Sequence, residues 1–188
     1  MQKFKNKYRI PSARLSSWDY SNNGYYYITI CTKNRICYLG DIKDIPVSNK
    51  SKPKMKLSKI GEITRKYWLE IPEHFPFILL DEFIVMPNHF HGILIIDNPV
   101  ETPKLDVSTG KKSKTENDGI NPKWKPGTLG VIINQYKRIC TINARKINPD
   151  FAWQSRFCDH IIRNEKSLYN IRNYIRMNPE KWKNDDYY

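Results

Sequence analysis

Between Phe77 and Asp97 the chain carries two apolar runs, FILLDEFIVM and HFHGILIID, separated only by Pro87-Asn88. Each run is short and rich in β-branched and aromatic residues, the pattern of a well-buried strand. Proline cannot donate to a central ladder, and Pro-Asn favours a tight turn. The runs are therefore expected as two separate strands joined by that turn.

The flanking sequence supplies further elements of a layered fold. GYYYITICT, Gly24 to Thr32, reads as another strand. LSKIGEITRKYWLEIP has apolar residues at Leu57, Ile60, Ile63, Tyr67, Trp68 and Ile71, a helical period with Ser58 to cap it and Pro72 just beyond its end. TLGVIINQYKRICTINARKI is a second amphipathic helix with its apolar face through Leu129, Ile132, Ile133, Tyr136, Ile139 and Cys140, and with Lys137 and Arg138 towards the polar side. FAWQSRFCDHII reads as a strand or extended segment, and EKSLYNIRNYIRMN as a helix ended by Pro179. PVSNKSKPK, before the first helix, reads as an exposed loop.

The order β-α-β-β-α-β-α contains the split βαβ arrangement. The expected class is α+β: a ferredoxin-like, RRM-like antiparallel sheet with helices on one face and a site on the other. The expected organisation is a basic arm over 1–20, one domain over 21–182 with insertions at about 45–56 and 98–126, and a tail over 183–188.

On a strand, His89 and His91 project from one face about 6.6 Å apart at Cα, while Phe90 points the opposite way. Buried imidazoles need partners. Two on one face can share a divalent metal, or they can be a half-exposed pair beside a sheet edge. Tyr174 and Asn178 share a helical face one turn apart. They offer a hydroxyl nucleophile and a carbonyl ligand, or a packed ring and a helix cap.

Lys and Arg outnumber Asp and Glu by 32 to 19, a net charge of +13 that points to a polyanion such as nucleic acid. Four cysteines without CxxC spacing argue against a zinc finger or disulfide framework. The opening MQKFKNKYRIPSARL holds no apolar core of the signal-peptide kind, and no run approaches ~18 apolar residues, so a cytoplasmic protein is expected.

Three stretches carry a resemblance: MPNHFHGIL (Met86 to Leu94), WQSRFCDHIIRN (Trp153 to Asn164) and YIRMNPEKW (Tyr174 to Trp182). With these, the chain resembles the single-tyrosine HUH transposases of the IS200/IS605 type, and among them the REP-associated tyrosine transposase branch. The stretch Arg9 to Arg35 is similar to that branch as well; 45–56 and 98–126 are not.

The resemblance implies that His89, His91 and Asn178 ligate Mg²⁺ or Mn²⁺ and that Tyr174 is the nucleophile, although many members carry Gln where Asn178 stands. It implies cleavage and rejoining of hairpin-containing single-stranded DNA through a 5′-phosphotyrosine, commonly by a homodimer, at the nucleoid of a prokaryote. DNA contacts are expected from Lys7, Tyr8, Arg9 and Arg14 in the arm, Lys137 and Arg138 on the second helix, and Arg163. Two other functions fit the same residues. One is a catalytically retired or RRM-like single-strand binder, although no RNP-type pattern occurs. The other is a metal-dependent hydrolase that activates water.

Overall fold

The computed structural model describes residues 3–4, 7–8, 17–47, 50–98 and 127–185. Arg9, Arg14 and the segment 99–126 lie outside the described residues. Lys7 and Tyr8 are described as backbone only. They form a short strand, β2 (Lys7–Tyr8), antiparallel to β1 (Lys3–Phe4).

Four strands build the main sheet: β3 (Gly24–Cys31), β6 (Ile78–Val85), β7 (His89–Ile96) and β8 (Cys158–Ile162). Their order is β6-β7-β3-β8, with every neighbouring pair antiparallel. This is the expected split βαβ sheet. Pro87-Asn88 makes the turn between β6 and β7, where Met86 N–H bonds back to His89 O at 2.8 Å.

Strand alternation sorts the sheet into two faces. Tyr26, Ile28 and Ile30 of β3, with Phe90, Leu94 and Ile96 of β7, enter the main core. Over them lie α1 (Lys59–Leu69) and α3 (Leu129–Ala144). Ser58 caps α1 by accepting the Gly61 N–H at 3.0 Å. Trp68 of α1 is fully buried, its ring centroid 4.5 Å from Phe90 and 5.4 Å from Tyr136. Truncating a core ring of this size costs roughly 3–5 kcal/mol. Gly92 makes room for it: a Cβ there would lie 2.7 Å from Trp68 Cζ2. HFHG thus serves both faces, with Phe90 and Gly92 under the tryptophan and the histidines turned away.

The other face is covered by α4 (Glu165–Met177). Leu168 and Ile175 pack there against Ile93 and Ile162, with Tyr25, Tyr27, Ile84 and Ile171 around them. Only Arg163 and Asn164 separate β8 from α4, and Asn164 caps the helix by accepting Ser167 N–H at 2.8 Å. The three main helices therefore divide two to one between the faces.

Three local readings change. PVSNKSKPK is not a loop: β4 (Gly40–Val47) and β5 (Lys50–Leu57) form an antiparallel ribbon through it, in register from Gly40↔Leu57 to Val47↔Lys50. A ribbon of two strands has two outer edges without ladders, which is why Pro46 and Pro53 are tolerated. Beyond α1 a further short helix, α2 (Ile71–His74), contains Pro72 and His74. Pro179 ends α4 but not the helical path, which continues as a 3-10 turn over Asn178–Asn184. Among the described residues no helix is long and apolar enough to cross a membrane, and all four cysteines are free thiols.

Candidate metal and tyrosine centre

On the α4 face, His89 and His91 stand opposite Cys31 and Thr29 of β3. Both rings are buried, with centroids 4.5 Å apart. Each is fixed through Nδ1. His91 Nδ1 meets the Tyr27 hydroxyl at 2.8 Å and Thr29 Oγ1 at 2.9 Å, and its ring stacks on Tyr27. His89 Nδ1 lies 2.8 Å from Asn88 Oδ1. Asn88 Nδ2 donates to the Arg35 carbonyl at 3.2 Å, so its oxygen faces His89. Oxygen only accepts there, so His89 Nδ1 carries the proton and Nε2 keeps its lone pair.

Burial pushes His89 down to about 4, against the pull of the Asp185 carboxylate. Burial, and then the neighbouring His89, hold His91 well below the usual histidine range. Both rings are thus neutral at pH 7, the form that binds metal.

Two oxygens complete the donor set. Asn178 is buried at the end of α4, with its Oδ1 lacking a hydrogen-bond partner. Its Nδ2 donates to Asp185 Oδ2 at 3.1 Å. The ligand atoms of His89, His91 and Asp185 lie within 4.8 Å of one another. Two neutral imidazoles, a carboxylate and an orphaned buried carbonyl oxygen fit a divalent cation.

Sequence reading missed Asp185, placing it in the tail. Its one local signal was the NDD stretch after Pro179, and only the 3-10 turn brings that acid back to the sheet. Tyr27, half-buried and packed against the α4-face cluster, also braces His91 through its hydroxyl.

Tyr174 stands over this cluster. Its ring centroid lies 5.4 Å from His91 and 6.4 Å from Tyr27, with the rings edge to face. The side chain is 38 % exposed, so a substrate can reach it. A bulge in β6 between Leu80 and Phe83 presents Asp81 and Glu82 to α4. Arg172 Nε lies 3.0 Å from both Asp81 oxygens, and Arg176 Nε 3.0 Å from Glu82 Oε1. These partly exposed pairs are screened by solvent and orient α4 more than they stabilise it. Tyr174, midway between the two arginines, is set over the sheet by them.

The expected DNA-contact residues separate. Arg138 and Arg163 are exposed, and Arg138 helps line a cleft of about 550 Å³ with Asn134 and Arg145. Lys137 is not on the polar side. It is 8 % exposed, and its amine donates to the carbonyls of Gln154 at 2.6 Å and Arg156 at 3.2 Å. Burial draws its pKa down to about 8. Charged donors to buried carbonyls contribute roughly 1.5–3 kcal/mol. Lys137→Met is thus expected to lower stability in urea unfolding by that order, with Arg138→Gln within ~0.5 kcal/mol of the native protein. Equal midpoints for the two variants would contradict this placement of Lys137.

No family model matches the chain. An uncharacterized protein of Haemophilus influenzae is 35 % identical over 178 residues, spanning 94 % of this chain and 92 % of its own length. The chain belongs to that protein's family. A second Haemophilus influenzae protein, named "Putative REP-associated tyrosine transposase", is 24 % identical over 164 residues, 87 % of this chain and 74 % of its own. A solved REP-associated tyrosine transposase bound to a REP hairpin superposes with a TM-score of 0.56 at 18 % identity, over 92 % of this chain and 74 % of that one. The chain thus shares the fold of that solved transposase, with a four-stranded antiparallel sheet and the helix α4 across one face of it.

Proposed function

We propose that this chain is a metal-dependent DNA transposase or single-strand endonuclease, which cleaves and rejoins hairpin-containing single-stranded DNA through a 5′-phosphotyrosine. The observation that carries the reading is the placement of an accessible tyrosine against His91, beside a compact His-His-Asp cluster. The hairpin bound to the structural neighbour and the +13 charge support the substrate class.

Tyr174 Oη is the attacking atom. It forms a bond to phosphorus, loses its proton to solvent, and displaces the 3′ oxygen, which takes a proton from solvent and leaves as a hydroxyl. The phosphodiester energy is kept in the tyrosyl ester, so attack by another 3′-hydroxyl reverses the step without ATP. A divalent cation, Mg²⁺ or Mn²⁺, held by His89, His91, Asp185 and Asn178, would supply Lewis-acid charge to the phosphate. Tyr27, Thr29 and Asn88 keep the two imidazoles aimed, and the arginine pairs keep Tyr174 in line. All of these residues come from one chain, so a homodimer would carry two complete centres. A DNA substrate of this kind places the protein in the cytoplasm, at the nucleoid of a prokaryote.

The test is to incubate the protein with labelled hairpin-containing single-stranded DNA and Mn²⁺ or Mg²⁺, then look for an SDS-resistant protein–DNA band. A metal-dependent band is the expected result. Tight hairpin binding with no cleavage would overturn it in favour of a retired enzyme. Arg172→Gln combined with Arg176→Gln should slow adduct formation roughly 10-fold, because a misplaced nucleophile loses its alignment. The same variant should melt near the native temperature. An unchanged rate would show that the arginines do not position Tyr174.

A further inference from the structure

The β4–β5 ribbon has two unlike faces. Pro53, Met55 and Leu57 of β5 are half-buried, and Met55 and Leu57 pack against the main core. Alternating with them, Lys52, Lys54 and Lys56 are exposed. Register adds Lys43, also exposed, directly opposite Lys54. Like charges facing each other across a ladder are destabilising. The one acid on this face is Asp41, opposite Lys56. Among the described residues none of the four lysines forms a salt bridge. A row of cations, interrupted by Ile45 opposite Lys52, is therefore held outward by an underside that is apolar except for Asp44, and its own strand pairing keeps the charges together.

We propose that this ribbon is a nucleic-acid-binding arm that holds the phosphate backbone of the double-stranded stem of the substrate; the inference rests on the hairpin-DNA reading of the tyrosine centre. Three observations carry it. Successive lysines on one strand face stand ~6.6 Å apart, close to twice the ~3.4 Å axial rise between phosphates of a DNA strand. Each ribbon strand is eight residues long. At ~3.3 Å per residue it spans about eight base pairs. Residues 40–57 contain no aromatic side chain. Single-strand binders stack bases on aromatic rings, so this surface is built for backbone charge and not for bases.

The ribbon also starts beside the centre. A cleft of about 700 Å³ between it and the 3-10 turn is lined by Ile42 and Pro53 of the ribbon and Trp182 of the turn, with Lys43 and Lys183 set among the acids Asp41, Asp44 and Glu180. The Trp182 ring lies 5.9 Å from that of His89. Of the row, Lys43 also lines this cleft, which the ribbon shares with the turn that carries Trp182.

The experiment compares the native protein with the quadruple variant Lys43→Gln, Lys52→Gln, Lys54→Gln, Lys56→Gln. Hairpin affinity is measured without metal over a range of salt concentrations. Each lost phosphate contact lowers the salt slope by about 0.9, so the variant's slope should be shallower by roughly 3 to 4. Hairpin affinity at low salt should fall at least 10-fold, while affinity for an unstructured oligonucleotide of equal length holds. The corresponding four Lys→Arg changes should retain the native slope, which separates lost charge from lost folding. An unchanged hairpin slope, or equal weakening on both DNAs, would overturn the proposal. Because these measurements involve no chemistry, a native protein that binds stems through the ribbon yet forms no adduct would overturn only the catalytic reading.

Discussion

Tyr174→Phe should give a protein that folds and binds hairpin DNA but forms no covalent adduct. The substitution removes one oxygen from a side chain that is already 38 % exposed, and the phenyl ring can keep its edge contacts with His91 and Tyr27. Stability should therefore change little. Deleting a nucleophile from a concerted site typically lowers turnover by several powers of ten, so adduct and strand transfer should fall at least ~10⁴-fold. The readout is the SDS-resistant band together with the released 3′-ended product. Cleavage that survives in this variant without an adduct would sink the tyrosine mechanism and make water the nucleophile. Tyr169, on the same helix, is the natural control: it is 65 % exposed.

His91→Ala should abolish cation binding. It removes one of two neutral nitrogens and strands the Tyr27 and Thr29 hydroxyls that aim it. Mutating groups that merely support a ligand already costs 10–100-fold in metal affinity, so loss of the ligand itself should exceed ~100-fold. Calorimetry with Mn²⁺ reads this directly, without reference to cleavage. The same titration ranks the oxygens. Asp185→Asn keeps the size of the side chain beside Asn178 but removes the charge, and a marked loss of affinity is expected. Native Mn²⁺ binding in Asp185→Asn, with loss in Asn178→Ala, would assign the oxygen ligand to Asn178 alone. Native binding in His91→Ala would remove the metal centre from the account.

Much of this arrangement is legible in the chain because the strongest signals are periodic. Strand alternation at His89-Phe90-His91 sends the histidines to one face and Phe90 to the other whatever the surroundings. Helical spacing does the same for Tyr174 and Asn178. Such periods also recover the four-stranded sheet and the helices that pack on it. The misses lie where structure depends on partners distant in sequence. The β4–β5 ribbon does alternate Lys with Pro53, Met55 and Leu57, but Pro46 and Pro53 read as breakers and its inner face is only half-buried, so the pattern passes for a loop. Lys137 sits at a position that helical projection leaves ambiguous. What decides it is the pair of carbonyls from Gln154 and Arg156, seventeen and nineteen residues on. Asp185 reaches the cluster through a 3-10 turn beyond a proline, where local rules foresee a chain leaving the fold.

The two-residue connection between β8 and α4 has a further consequence. Asn164 is committed to capping the helix, which leaves Arg163 as the only joint. A tether this short cannot carry α4 across to a neighbouring molecule unless the cap and the end of β8 come apart. In the proposed reaction, nucleophile and ligands then travel as one unit, and each molecule can act in dilute solution without waiting for an encounter with another.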